Sequence, residues 1–323
     1  MSLLLAIDGG NSKTDVAVLD HEGTLLARGR GPGFSPHVLG ISGSVLAVEE
    51  LARSTLRGIA LELGPDSVAH TAAYLAGVDL TREREEMLAV VTARGWSRSA
   101  VVDNDTFAVL RLGSPDGDGV AVVCGAGINC VGVSGTRIVR FPSLGTVSGD
   151  WGGGLQLGAE VMSAAARVED GRGPATVLAE AVVAHFGVAS VLEAVEAFHF
   201  GEFPSSRFAE LSPVVFRCAA QGDAVSRDLV DRLAGEIADY VRASLRRLDL
   251  GGRDVPVVLG GGILAGGDQR LLTGVFDRVH SEFPRARFVR VDEPPVIGAA
   301  LLGLDHLGIA GDAVVRAAFR VAA

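Results

Sequence analysis

The chain has 323 residues, 48% of them apolar and 21% charged, with a formal net charge of −10. Those values describe a folded protein with room for two domain cores and exclude a disordered chain. The acidic balance, with no Lys/Arg block, argues against nucleic acid and anionic membrane as partners, and no apolar run reaches membrane-spanning length. The apolar run over residues 3–7 predicts a buried strand, and a second β-branched run over 16–19 predicts its hairpin partner. Between them stand Asp8, Gly9, Gly10, Asn11, Ser12, Lys13 and Thr14. Glycines let backbone N–H groups approach an anion, Lys13 adds a point charge, and Ser12 and Thr14 add donors. Asp8, at the strand end, is placed to hold a cation directly or through water. This chemistry suits a Mg-nucleotide phosphate. The spacing before Lys13 and the strand after it exclude a Walker A loop. A glycine pair in a hairpin is equally what a plain turn requires, so the reading depends on the rest of the chain.

A third strand of the meander is expected over 23–29, then a rigid Gly/Pro loop over 31–36. Helical spacing runs over 42–63, with Val45, Val48, Leu51, Leu56 and Ile59 as its apolar positions. Residues 67–77 predict a strand closing in a turn at Gly77, followed by Asp79. Glu83-Arg84-Glu85-Glu86 opens another helix. A short strand over 99–102 then delivers Asp103, Asn104 and Asp105 to the start of a helix at 106–110.

After a turn-rich break over 114–119 the opening pattern returns. A strand over 119–124, the tight turn Gly125-Ala126-Gly127-Ile128-Asn129, and strands over 130–133 and 137–141 suggest an internal duplication. Long helices are expected between about 159 and 250. A buried strand over 255–264 is broken by Gly260, Gly261 and Gly262, another strand covers 288–291, and Pro294 opens a helix with proline in its first turn. The three cysteines, Cys124, Cys130 and Cys218, form no disulfide framework, and the Met-Ser-Leu start has no basic leader segment. The plain reading of both is a cytoplasmic protein.

Taken as an ordered set, these motifs carry a family likeness. Residues 8–14 resemble the first phosphate motif of the actin-like ATPase and sugar-kinase superfamily. Gly125-Ala126-Gly127 resembles its second phosphate motif, and Leu259-Gly260-Gly261-Gly262 its adenosine motif. Within that superfamily the chain resembles the BadF/BadG/BcrA/BcrD ATPase family, and its N-acetylglucosamine kinase branch most of all. The branch markers are Asn104-Asp105 before a helix, Asn129, Gly149-Asp150 and the closing Pro-Pro-Val-Ile-Gly-Ala-Ala.

The resemblance implies an α/β fold of two actin-like (ribonuclease H-like) domains around a nucleotide cleft, spanning residues 1–115 and 116–323, with the last helix a candidate to pack back on the first. It implies ATP held by both glycine hairpins, Mg²⁺ on Asp8, and adenosine against Gly260, Gly261 and Gly262. Asp105 would take the proton of the attacking hydroxyl of an amino sugar, N-acetylglucosamine being the first candidate. Ser35, Gly77, Asp79, Asn104, Asn129 and Asp150 fall where the family contacts its sugar. A homodimer follows from the resemblance only. Two plainer roles stay open at this point: Asp105 as a helix N-cap and Asp79 as a turn acid.

The chain departs from the family pattern at five positions. Ala126 and Ile128 stand where Thr and Ser are common, Leu144 where a Trp is, and Trp151 where a Glu is. Ser35 stands where the kinases often have Asn. Two other classes remain: an ATP-driven activator holding an iron–sulfur cluster, which needs placed thiolates, and a sugar or ATP sensor without turnover. None of the seven His belongs to a Cys-rich zinc knuckle of the kind one sugar-kinase group carries.

Overall fold

Seven consecutive residues with no exposed position are the signature of a strand covered on both faces. The first strand, β1 (Leu3–Gly9), is buried along its whole length. In the computed structural model, which describes residues 3–34 and 36–321, β1 is the centre of a five-stranded sheet. It pairs antiparallel with β2 (Lys13–Leu19), which pairs antiparallel with β3 (Leu25–Pro32). On its other side it runs parallel to β4 (Val68–Leu75), and β4 runs parallel to β5 (Ser99–Asn104). The connections are α1 (Pro36–Arg57), broken at Gly40, α2 (Thr81–Ala93) after β4, and α3 (Asp105–Gly113) after β5.

The period of two along β1 separates two cores. Leu3, Leu5 and Ile7 join Val48, Leu56, Met87 and Trp96 on one face. Leu4 and Ala6 face the other way and join Ala108, Ile297, Leu301, Val315 and Phe319.

A second five-stranded sheet repeats this plan. It contains β6 (Gly119–Cys124), β7 (Ile128–Ser134) and β8 (Arg137–Arg140), and later β9 (Val255–Gly260) and β10 (Ala286–Arg290). The first sheet reads β3-β2-β1-β4-β5 and the second, from its far edge, β8-β7-β6-β9-β10. The duplication seen in the sequence is therefore present in the strand order. The helices between are α4 (Gly153–Glu169), α5 (Leu178–Phe186), α6 (Val191–His199), α7 (Ser212–Ala220) and α8 (Ala224–Leu248), with α9 (Gly262–Ala265) and α10 (Gln269–His280) after β9. No single helix among the described residues is long and apolar enough to cross a membrane; α5 and α6, bent by 57°, pass that test only when joined.

The chain divides into two units. One takes the described residues of Met1–Gly119, Arg140–Pro142 and Val291–Ala323; the other takes Val120–Val139 and Ser143–Arg290. A division at 115/116 leaves 291–323 with the second half. The structure places them with the first, because α11 (Pro295–His306) and α12 (Asp312–Val321) supply the apolar cover for Leu4, Ala6, Ala17 and Leu19. Both helices return, where the sequence offered only the last. Gly298 allows it: a Cβ there would lie 2.0 Å from the carbonyl oxygen of Ala108.

The strand expected over 255–264 ends at Gly260 and a short helix follows. Likewise β5 runs two residues further than expected, so Asp103 and Asn104 belong to the strand and Asp105 opens the helix.

Candidate functional site

In the first unit, the hairpin between β1 and β2 is tight. Gly10 N–H donates to the Lys13 carbonyl at 2.9 Å, and Phe34 N–H donates to the Gly10 carbonyl at 2.9 Å. Gly9 has no space for a side chain, since a Cβ would meet Leu75 at 2.6 Å. Asn11, Ser12 and Lys13 are exposed at the tip, while Thr14 turns inward and is buried. Asp8 lies opposite Asp15 in the β1–β2 register, and both carboxylates are buried.

Sequence reading missed Asp15, although period-two spacing puts it on the same face as Lys13. Its carboxylate accepts from Arg30 Nε at 2.6 Å and Nη2 at 3.0 Å, and Lys13 Nζ stands 3.5 Å away. Lys13 remains 46% exposed beside a carboxylate already held by Arg30, so its ammonium is available to a second anion. Burial, followed by the neighbouring Asp105 and Asp15 carboxylates, pushes the Asp8 carboxyl up to about 8, against the pull of Lys13 and Arg30. Negative charge around a buried carboxylate makes a cation beside Asp8 favourable. Among the described residues no group of three or more His, Cys, Asp or Glu forms a metal cage. A single protein carboxylate, with phosphate oxygens and waters completing the shell, is the donor set Mg²⁺ ordinarily takes. Asp8 fits that ion.

The junction of β5 and α3 settles the capping question. Asn104 is the N-cap: its Oδ1 accepts from Thr106 N–H at 3.0 Å and from the Thr106 hydroxyl. Asp105 is the first helical residue and its carboxyl is left for other work. Burial pushes that carboxyl up to about 6, against the lowering effect of the N–H groups of Thr106 and of Asp105 itself at the helix start. Asn104 Nδ2 donates to Asp79 Oδ1 at 2.8 Å, so two sequence-selected residues meet. Asp79 follows Gly77, whose φ of 72° lies in the left-handed region where only glycine is unstrained. Ala76 N–H donates to the Gly9 carbonyl at 2.7 Å, which ties this turn to the hairpin.

The second unit builds a matching glycine assembly. Gly125 N–H donates to the Gly127 carbonyl at 2.9 Å, closing the turn between β6 and β7. The start of α4 packs onto it: Gly154 and Leu155 N–H donate to the carbonyls of Gly125 and Ala126 at 2.7 and 3.0 Å. Gly153 (φ 78°) sits so close that a Cβ would be 2.4 Å from Gly127, and one on Gly261 (φ 87°) would be 2.5 Å from the Cys124 carbonyl. Val123 pairs with Gly260 in the β6–β9 register. The start of the 125–127 turn and the Gly260-Gly261 end of β9 therefore lie side by side.

Asn129 and Asp150 also lie in this unit. Asn129 Oδ1 accepts from Cys130 N–H at 2.6 Å. Asp150 is held by two hydroxyls, from Ser148 and from Tyr240, which lies 90 residues away on α8. No local pattern points to Tyr240; only the fold brings it there. Trp151 is buried, with Arg232 3.9 Å over its ring and its Nε1 3.4 Å from Glu160. It packs rather than lines a site. Ser35 lies outside the described residues. All three cysteines are buried, and burial pushes the Cys124 and Cys130 thiols up to about 12, so neither is a thiolate at neutral pH.

The pattern described as the BadF/BadG/BcrA/BcrD ATPase family matches residues 5–303. An N-acetyl-D-glucosamine kinase of Dictyostelium discoideum is 26% identical over 320 residues, covering 94% of this chain and 98% of the relative. An N-acetylmuramic acid/N-acetylglucosamine kinase of Clostridium acetobutylicum is 24% identical, with the same coverage of both chains. The crystal structure of a provisionally assigned N-acetylglucosamine kinase from Chromobacterium violaceum is similar with a TM-score of 0.70 and 25% identity, over 94% of this chain and 99% of that one.

Proposed function

The chain belongs to the BadF/BadG/BcrA/BcrD ATPase family, and on that premise we propose that it transfers the γ-phosphoryl group of ATP to the primary hydroxyl of an amino sugar, N-acetylglucosamine first. The observation that carries the reading is Asp105: a half-buried carboxyl at a strand-to-helix junction, next to the N-cap that Asn104 supplies, and pushed up to about 6 by desolvation. A general base works best with a pKa near the operating pH, and a rigid element holds it in place. Relatives named as N-acetylglucosamine kinases along nearly the full chain support the sugar class.

In this reading, Asp105 accepts the proton of the sugar hydroxyl as that oxygen attacks the γ-phosphorus. Asn104 and Asp79, joined by their hydrogen bond, orient the sugar hydroxyls from the first unit; Gly77 shapes that wall, and Ser35 is assigned the same role. Asn129 and Asp150 are assigned sugar contacts by the family resemblance alone. Lys13, Thr14 and the N–H groups of residues 9–12 cradle phosphate oxygens; Gly125, Ala126 and Gly127 are assigned a phosphate role by the family resemblance. Adenosine rests on Gly260, Gly261 and Gly262. Asp8 would hold Mg²⁺, which would supply neutralisation of the phosphate charge. Loss of a side-chain hydroxyl at Ala126 leaves the backbone donors of that turn in place.

An ATP-consumption screen against free and N-acylated hexoses tests this directly. Sugar-dependent ADP release, largest for N-acetylglucosamine and abolished by Asp105→Asn, is the expected result. ATP hydrolysis indifferent to every sugar and to that substitution would sink it.

A further inference from the structure

The two residues that flank Asp105 at one remove, Asp103 and Phe107, are both held by one side chain that no sequence motif singles out. Arg140, the last residue of β8, belongs by its packing to the first unit. Its Nη1 and Nη2 donate to Asp103 Oδ1 and Oδ2 at 2.6 and 2.8 Å, a bidentate pair with both partners largely buried. The same guanidinium stands 4.4 Å over the ring of Phe107. Asp103 is two residues before Asp105 and Phe107 two residues after it, so Arg140 spans the turn that presents the base. Asp103 Oδ1 also accepts from Asn104 N–H at 2.7 Å, which extends the hold to the N-cap and through it to Asp79.

We infer that Arg140 is the positioning residue for Asp105, locking the Asp103-Asn104-Asp105 junction in the geometry that proton transfer needs. The inference rests on the kinase reading above. Three properties favour a guanidinium here. Its planar fork matches a carboxylate with two parallel hydrogen bonds. Its flat face stacks on an aromatic ring. Its delocalised charge is more weakly hydrated than an ammonium, which suits a partly buried pair. Lysine supplies the charge alone. Without Arg140, the Asp103 carboxylate is left largely buried and uncompensated beside the base, and the first turn of α3 loses its external brace. A displacement of the base by about an ångström is enough to cost a rate on the order of a hundredfold.

The test compares wild type, Arg140→Ala, Arg140→Lys and Asp103→Asn in steady-state phosphorylation of the preferred sugar. Arg140→Ala should lose about ten- to a hundredfold in kcat, with the KM for ATP and sugar little changed. Millimolar guanidinium added to that variant should restore part of kcat, while Arg140→Lys should stay impaired despite its charge. A kcat equal to wild type in Arg140→Ala overturns the inference. So does a loss that guanidinium does not restore and that follows the loss of folded protein. Where Arg140→Ala does not fold, the Asp103→Asn/Arg140→Met pair removes both charges together. That double variant should fold and keep the kcat defect; wild-type turnover in it overturns the inference. Wild type runs first in the same panel. If it phosphorylates no sugar, the kinase reading falls; if it does and Arg140→Ala matches it, only this inference falls.

Discussion

Asp8 is a buried carboxyl and Asp105 a half-buried one, and their settings give them different work. Asp105, pushed up to about 6 chiefly by burial, is ionised over most of the neutral range. Replacing it by Asn should leave nucleotide and sugar affinity in place while kcat falls by about 10²–10⁴-fold. In wild type, kcat should fall with unit slope below a pH near 6, because protonation removes the base. Lys13→Ala should weaken ATP binding strongly, and unchanged ATP affinity in that variant would remove the hairpin from the site. Asp8 yields a stability prediction. Its carboxyl titrates near 8 in the folded chain against 3.8 ordinarily, so the folded state holds the proton more tightly. The stability this supplies is complete below the unfolded value and is lost as pH rises through the folded one. Without nucleotide or divalent cation, the melting temperature should decline between about pH 5 and pH 8, and Asp8→Asn should flatten the decline. An equal decline in that variant would place the cause elsewhere.

The two glycine turns depend on close approach at the level of elements. At the first, Gly9 is pressed between Leu75 and Phe34, so β4 and the segment before α1 fix the hairpin's shape. The turn at 125–127 is held by the start of α4 and by Gly261 after β9. Gly153→Ala carries two costs. A side chain at φ 78° is strained, by about 1–2 kcal/mol, and its Cβ would overlap Gly127. Both should appear as lowered stability in urea and as weaker ATP binding, since the turn must shift to relieve the overlap. ATP affinity unchanged in a destabilised Gly153→Ala would show that this turn does not touch the nucleotide.

At the scale of the whole molecule, the first unit is closed by the chain's last described segment. Val315 and Phe319 of α12 are buried against the face of the first sheet that also carries Leu4 and Leu19. Arg111, itself buried, holds both helices through Asp305 at 2.6 Å and Asp312 at 2.6 Å. Truncation after residue 311 would expose that face and remove one of the two ion pairs. Two large buried side chains contribute about 1.5–3 kcal/mol each, a sizeable part of a typical stability of about 5–15 kcal/mol. The truncated chain should melt at a markedly lower temperature or fail to accumulate folded. A melting temperature equal to the full chain would show that α12 contributes little.

The order of motifs along the chain determined the family and the strand plan. Local physics forces that much: apolar runs make buried strands, and glycines are obligatory where a turn meets an anion or another backbone. The candidate residues Asp8, Lys13, Asn104 and Asp105 were readable for the same reason, since each sits at an element's end. Contacts between residues far apart in sequence were not readable. Arg140 reaches Asp103 across 37 residues, Tyr240 reaches Asp150 across 90, and Arg111 reaches Asp312 across 201. A long polar side chain carries no local mark of its eventual partner, because that partner is chosen by which elements the folded cores bring together. The return of residues 291–323 to the first unit was decided in the same way. One face of the first sheet needed apolar cover, and only the packed structure shows that α11 and α12 supply it.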